Sequence, residues 1–365
     1  MKPNRNYRRA AGYFLFVCTL FSLCFLAGCS QNSKQEFPKL SIGNPVTNSI
    51  VNQEVHSYTV ELDKGTYLGL SVEQHDVDVI TEVTGPDEKM LGEFDTPTSG
   101  RGTEHVRIGA DASGEYRVDI YTLSERAEPG EYKLEITEFR PMDDRDAIVL
   151  SAVQFHQEAD RLRANADTRK DSIPLYANSL QLWRGLDEPA EEANVLRAMG
   201  FAYQRLDDLE KAKEHFGESL ELWERISDLR SAAFVHIIFG VISKKQNNLK
   251  DGLEHDLMAQ PLWEKAGDMP EYTQNLVRIG NDYIKLGNNI EALDYFEKAL
   301  EFSQRTGRKS IQAYVLSECG SAQVTVGNKS EALNFYRQSL EIWKGLEQDK
   351  AVAGLEEKIA KLSAS

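Results

Sequence analysis

The side chains of this chain with chemical reach are four cysteines, seven histidines and 58 acidic residues, set against 42 basic ones. Three cysteines (Cys18, Cys24, Cys29) lie near the N-terminus, leaving Cys319 alone in the body. No disulfide framework or multi-cysteine zinc site can be built from that set. Asp76, Asp78, Asp87 and Asp95 fall close together, but without the ligand spacing of a calcium loop, so they read as solvated turn carboxylates. His56, His75 and His105 are scattered over the same stretch, where separate strands or turns would hold them apart. No phosphate-binding glycine loop, dinucleotide fingerprint, His-Glu-x-x-His pair or Gly-x-Ser-x-Gly elbow occurs. The expectation is a protein without catalytic residues, metal or cofactor. A formal charge of −16 repels phosphate backbones and argues against a nucleic-acid partner.

One cysteine does sit in a chemical context. Residues 1–13 are basic and polar, Phe14–Gly28 is an unbroken run of apolar and small residues, and Leu26-Ala27-Gly28-Cys29 closes it. The run is short for a membrane span, which needs about 20 apolar residues, and has the length of a secretory signal. Its closing tetrapeptide resembles the lipobox of bacterial lipoproteins. That resemblance implies removal of residues 1–28, acylation of Cys29, and a lipid-anchored protein of the cell envelope. Ser30 after the cysteine favours the outer membrane where the cell has one. Without the four basic residues of the signal the charge becomes −20. Residues 29–37 then form a polar, lipidated tether.

The elements beyond the tether change character once. Over residues 38–140, runs of alternating polarity (His56–Leu62, Tyr67–Val72, Val77–Val83, Glu115–Tyr121, Glu131–Thr137) are separated by Asp63-Lys-Gly65, Gly85-Pro-Asp87, Asp111-Ala-Ser-Gly114 and Glu128-Pro-Gly130. Period-two alternation with frequent turns predicts an antiparallel β-sandwich. The motifs Tyr58-x-Val60-x-Leu62, Val77-Asp-Val79 followed by Gly85-Pro-Asp87, and Gly114-x-Tyr116-x-Val118-x-Ile120 resemble the bacterial pre-peptidase C-terminal domain. That family is a jelly-roll-like accessory module, and some members bind calcium or polymers.

From residue 147 the period becomes helical and the sequence repeats. Leu180-Gln-Leu-Trp183 recurs as Leu220-Glu-Leu-Trp223, Gln260-Pro-Leu-Trp263, Leu300-Glu-Phe-Ser303 and Leu340-Glu-Ile-Trp343, each 40 residues on. Gly200, Gly240, Gly280 and Gly320 share one phase, and Ala212, Gly252, Ala292 and Ala332 another. Such a period predicts stacked helical hairpins, five over 147–348, with a capping helix over 349–365. The first unit departs from the pattern, with Asp160 in the glycine phase and Pro174 in its second helix. The set Leu276, Gly280, Tyr283, Ala292, Phe296 and Ala299 resembles the tetratricopeptide repeat signature. The forty-residue form is similar to arrays that precede CHAT protease domains and to kinesin light chains. This chain carries no His and Cys pair of the kind those protease domains use.

The fold expected is therefore multidomain, an antiparallel jelly-roll-like β-sandwich followed by an all-α tetratricopeptide solenoid. In such stacks the first helix of each hairpin lines a concave groove. Counting from the repeat glycines as in that family places Asn194, Arg197, Phe201, Gln204, Phe234, Ile237, Val241, Lys244, Gln274, Val277, Asn281, Ile284, Tyr314 and Ser317 on it, followed by Ser321 and Val324. These residues predict an apolar stripe with polar edges, suited to a peptide or amphipathic helix of a protein partner. The function expected is a membrane-anchored interaction scaffold. The alternative is an envelope lipoprotein that binds polymer or carbohydrate through the sandwich.

Overall fold

The computed structural model describes residues 36–51, 53–95, 100–122, 129–305 and 307–364. Cys29 and the signal segment lie outside the described residues. The sandwich has eight strands: β1 (Val46–Ile50), β2 (Val55–Leu62), β3 (Thr66–His75), β4 (Ile80–Thr84), β5 (Met90–Phe94), β6 (Arg101–Gly109), β7 (Gly114–Tyr121) and β8 (Gly130–Pro141). They form two four-stranded antiparallel sheets in the orders β1-β8-β3-β6 and β2-β7-β4-β5. This alternation of successive strands between two sheets is jelly-roll topology. Tyr58, Val60 and Leu62 from one sheet meet Leu68, Leu70 and Val72 from the other, with Val106, Val118, Ile120 and Leu134 completing the core. Each such side chain contributes about 1.5–3 kcal/mol on burial.

Three of these strands were not apparent as alternating runs. β1 and β5 are short, and β6 begins Arg101-Gly-Thr-Glu104, with Glu104 buried where an apolar residue is the rule. The run Val77–Val83 is also not one strand. Asp76 takes a left-handed backbone conformation (φ 62°) that ends β3. Val77 then bonds through its N–H to the Gly100 carbonyl, and Val79 to the Gln74 side chain, before β4 starts at Ile80.

The helices follow after two residues. In chain order they are α1 (Asp144–Ala164), α2 (Ser172–Leu186), α3 (Pro189–Arg205), α4 (Leu209–Arg225), α5 (Leu229–Lys245), α6 (Leu249–Ala266), α7 (Met269–Leu286), α8 (Asn289–Arg305), α9 (Lys309–Thr325), α10 (Lys329–Gly345) and α11 (Asp349–Ala364). They pair as five hairpins, α1/α2 to α9/α10, with α11 packed on the last. Left-handed residues close the turns at Asp187, Asp207, Ser227, Asn247, Gly267, Gly287, Gly307, Gly327 and Glu347, one every 20 residues. Each turn thus reverses the chain in the same way, and the forty-residue unit is two near-equal halves.

The small residue in the first helix has a mechanical reason. A Cβ at Gly200 would stand 2.6 Å from the Phe216 ring, and one at Gly320 would stand 2.6 Å from Tyr336. The ring fills the crossing because nothing else is there. In the first unit Asp160 takes the glycine's place, and the ring opposite it is Tyr176, whose hydroxyl donates to Asp160 Oδ1 at 2.5 Å. Pro174 lies in the first turn of α2 rather than its interior, where no N–H is required. Serines tie the helices again on a second level: Ser179, Ser219 and Ser339 donate to the carbonyls of Ala152, Ala193 and Ala313.

Candidate protein-binding groove

The first helices α3, α5, α7 and α9 stand side by side, and α7 touches α9 directly. In the second unit the expected groove residues lie largely in the packing. Arg197 is 3% exposed, donates to Asn194 Oδ1 at 2.9 Å and lies 5.7 Å above the Phe234 ring. Burial pushes its guanidinium down to about 10, against nearby Asp228. Phe201 is half-buried, with its ring edge-on to Phe216 at 5.1 Å, and Gln204 is half-buried too. Phe234 and Ile237 pack against the core of the following units, and Val277 is wholly inside it. Ile284 is half-buried. Ser317 and Ser321 accept from Lys358 of α11, and Val324 is exposed.

The structure brings five of the expected residues together. Val241, Lys244, Gln274, Asn281 and Tyr314 line one pocket of 280 Å³, along with Arg278, Asp282 and Lys285. Tyr314 is 41% exposed at its rim, and Asn281 donates to Glu318 at 3.1 Å. The lining is polar where an apolar stripe was expected, and the cause lies one layer down. The ring that fills the crossing in other units (Tyr176, Phe216, Phe296, Tyr336) is Asp256 in the third, facing Gly240. The position held by Ala202, Ile242 and Ala322 is Asp282 in the fourth.

Both carboxylates are buried, at 0% and 1% exposure. Lys244 answers them, its ammonium bonded to Asp256 Oδ2 and 2.5 Å from Asp282 Oδ2. Lys285 stands 3.6 Å from Asp282, and Arg278 3.9 Å from Asp256. Burial pushes the Asp256 carboxyl up to about 6, with Lys244 and Arg278 opposing it. Asp256 Oδ1, Asn275 Oδ1 and Arg278 Nε have no hydrogen-bond partner among the described residues. Arg278, Asp282 and Lys285 escaped the groove count because each lies off the family's four inward positions. The signal that would have found them is the break in the period at 256 and 282.

The same unit holds a pair of imidazoles, His236 Nδ1 lying 3.4 Å from His255 Nδ1, with Phe239 stacked on His255. Burial pushes His236 down to about 4, and His255 opposes its protonation further. Among the described residues no group of three or more His, Cys, Asp or Glu is placed to hold a metal ion. Asp76 is ion-paired with arginines, and Asp87 caps its own turn by accepting from the Lys89 N–H.

Residues 272–345 match the tetratricopeptide repeat family. No curated protein matches the chain in sequence. Among solved structures the chain is similar to BtubC (BKLC) from P. vanneervenii, with 15% identity over 57% of this chain and 94% of that one and a TM-score of 0.45. It is also similar to TPR-like repeats of a kinesin light chain candidate from Podosopora anserina, with 14% identity over 57% and 100% and a TM-score of 0.45. The pre-peptidase C-terminal domain of Bacillus anthracis collagenase is similar to a further part, with 12% identity over 29% of this chain and 100% of that one and a TM-score of 0.24.

Proposed function

We propose that this protein is a non-catalytic scaffold, anchored by lipid in the bacterial cell envelope, that holds a peptide segment of a partner protein across its third to fifth repeats. The observation that carries this is the open pocket between Lys244 and Tyr314, which offers donors, acceptors and a half-exposed ring on adjacent first helices. A peptide laid there would find partners for its backbone in Gln274 and Asn281 and a surface for one side chain on Tyr314. Covering an aromatic anchor of this kind is worth about 2 kcal/mol, or about 30-fold in affinity. Peptides selected against the wild-type protein from a displayed library should therefore lose about 30-fold in affinity for Tyr314→Ala, and more when Gln274→Ala is added. Equal binding by the double variant, with its helical circular dichroism intact, would place the groove elsewhere.

The anchor has its own test. Lipidation at Cys29 would put the sandwich, residues 38–140, between the membrane and the repeats over 147–348, as an adaptor that holds them off the bilayer. Cells fed labelled palmitate should mark the wild type and leave Cys29→Ala unmarked; label that survives the substitution would rule out the lipoprotein reading.

A further inference from the structure

The sandwich touches the repeat array at two places far apart along it, and the two are made differently. At the near end the chain itself is the joint. β8 runs to Pro141 and α1 starts at Asp144, with Asp143 capping the helix and Arg140 gripping buried Asp146 through both guanidinium nitrogens. A Cβ on Gly109 of β6 would lie 2.6 Å from Leu150 of α1, and Gln157 of α1 donates to the Glu93 carbonyl of β5. Arg107 of β6 adds an ion pair with Glu191 of α3 at 2.6 Å and sits 5.5 Å above the Trp183 ring. This end is covalent, and apolar contact and ion pairs add to it.

The far end lies three repeats on and is ionic. Asp76, at the left-handed turn after β3, takes two bonds from Arg101 of β6 at 2.8 and 3.1 Å. Its second partner is Arg308, the residue before α9, at 3.2 Å. Burial opposes the charge on Asp76, but the two arginines outweigh it and hold its carboxyl below the usual range. Asp268, the capping residue of α7, faces Arg101 across the same seam and is itself 3.4 Å from Arg230. Between the two ends lies the third unit, where the aromatic filler is replaced by Asp256 bonded to Lys244 and where the apolar core divides, Val235, Ile238 and Ile242 joining the earlier cluster and Ala259 and Trp263 the later one.

We propose that the sandwich is a tie across the array, fixed at the first two repeats and latched by charge at the fifth, and that the Asp76–Arg308 pair sets the width of the groove between them. A β-sandwich with a closed core is stiff, whereas stacked repeats touch only their neighbours and bend by small rotations that add up. A stiff chord held at two points three units apart removes that freedom. The latch is an ion pair without a covalent joint, whereas the near end is also held by the chain itself and by Leu150, so salt can open the latch without parting the near end. A partner bound across the groove would meet one curvature while the latch holds and a range of curvatures once it opens. This inference does not depend on what the groove binds.

The test measures the distance from the sandwich to the fifth repeat. Two dyes are attached to full-length protein in detergent through a keto-bearing non-natural amino acid at exposed Lys64 and Gln338, leaving every cysteine untouched. Single-molecule energy transfer should show one narrow population in about 0.01 M salt. Raising salt to about 1 M cuts the Debye length from about 30 Å to about 3 Å and should bring in a second, broader population. Arg308→Ala should show that second population already at low salt and lose the salt response, while Arg308→Lys should keep the latched state. An unchanged single population in high salt and in Arg308→Ala overturns the proposal, as does a salt response undiminished in Arg308→Ala. Should Arg308→Ala lose its helical circular dichroism, the salt series on the wild type and on Arg308→Lys decides.

Discussion

Lys244→Ala should lower the stability of the helical array by about 3–5 kcal/mol, a loss to be read from urea unfolding of the helical circular dichroism. Lys244 is the cation between two buried carboxylates. Removing it leaves Asp256 and Asp282 facing each other with only Lys285 and the more distant Arg278 as counter-charges. A buried ion pair stabilises little against a well-packed apolar pair, but breaking one from a single side is costly because the other charge stays behind. The triple change Lys244→Leu, Asp256→Phe and Asp282→Ala restores the types used in neighbouring units. It should match or exceed wild-type stability, by up to about 4 kcal/mol. A single Lys244→Ala variant within about 1 kcal/mol of wild type would mean that the carboxylates find water or shed charge at little expense.

Phe216→Ala should cost about 3–5 kcal/mol as well, by a different route. Its ring is fully buried, closes on Gly200, and meets Phe201 and Phe239 edge-on at 5.1 and 6.3 Å. The hole left behind has backbone on one side and rings on the others, so it has little means of collapsing. Phe201→Ala, half-exposed on the same crossing, should cost clearly less. Equal losses from the two substitutions in the same urea experiment would mean that the crossing is not where the second unit draws its stability.

Much of the architecture was legible because it rests on local and periodic rules. Gly200, Gly280 and Gly320 recur where a ring must fit, and the helix lengths follow from turns that return every 20 residues. Tyr58, Val60 and Leu62 alternate because one face of β2 is dry. Cys319, one residue before the repeat glycine Gly320, is 4% exposed, and burial pushes its thiol up to about 12, far from a reactive thiolate. β6 was hidden because Glu104 occupies an inward position, which leaves only Val106 and Ile108 in apolar alternation. The pocket was half legible. Counting from the repeat glycine found Val241, Lys244, Gln274, Asn281 and Tyr314, all at the family's inward positions. It could not find Arg278 or Asp282, which enter only because Asp256 leaves a gap that charge must fill. Nor could spacing foresee the pair of Asp76 and Arg308, since nothing local links residues so far apart in the chain.

The placement of β6 has a consequence for solubility. It is the outermost strand of its sheet, so one row of its N–H and C=O groups has no neighbouring strand. Such a border is a template on which another chain can add itself. Here α1 lies against the strand, and its terminal arginines are engaged by Glu191 at one end and Asp76 at the other. The helical array therefore covers this edge of the sandwich. That cover keeps β6 of one molecule from being extended by a strand of another.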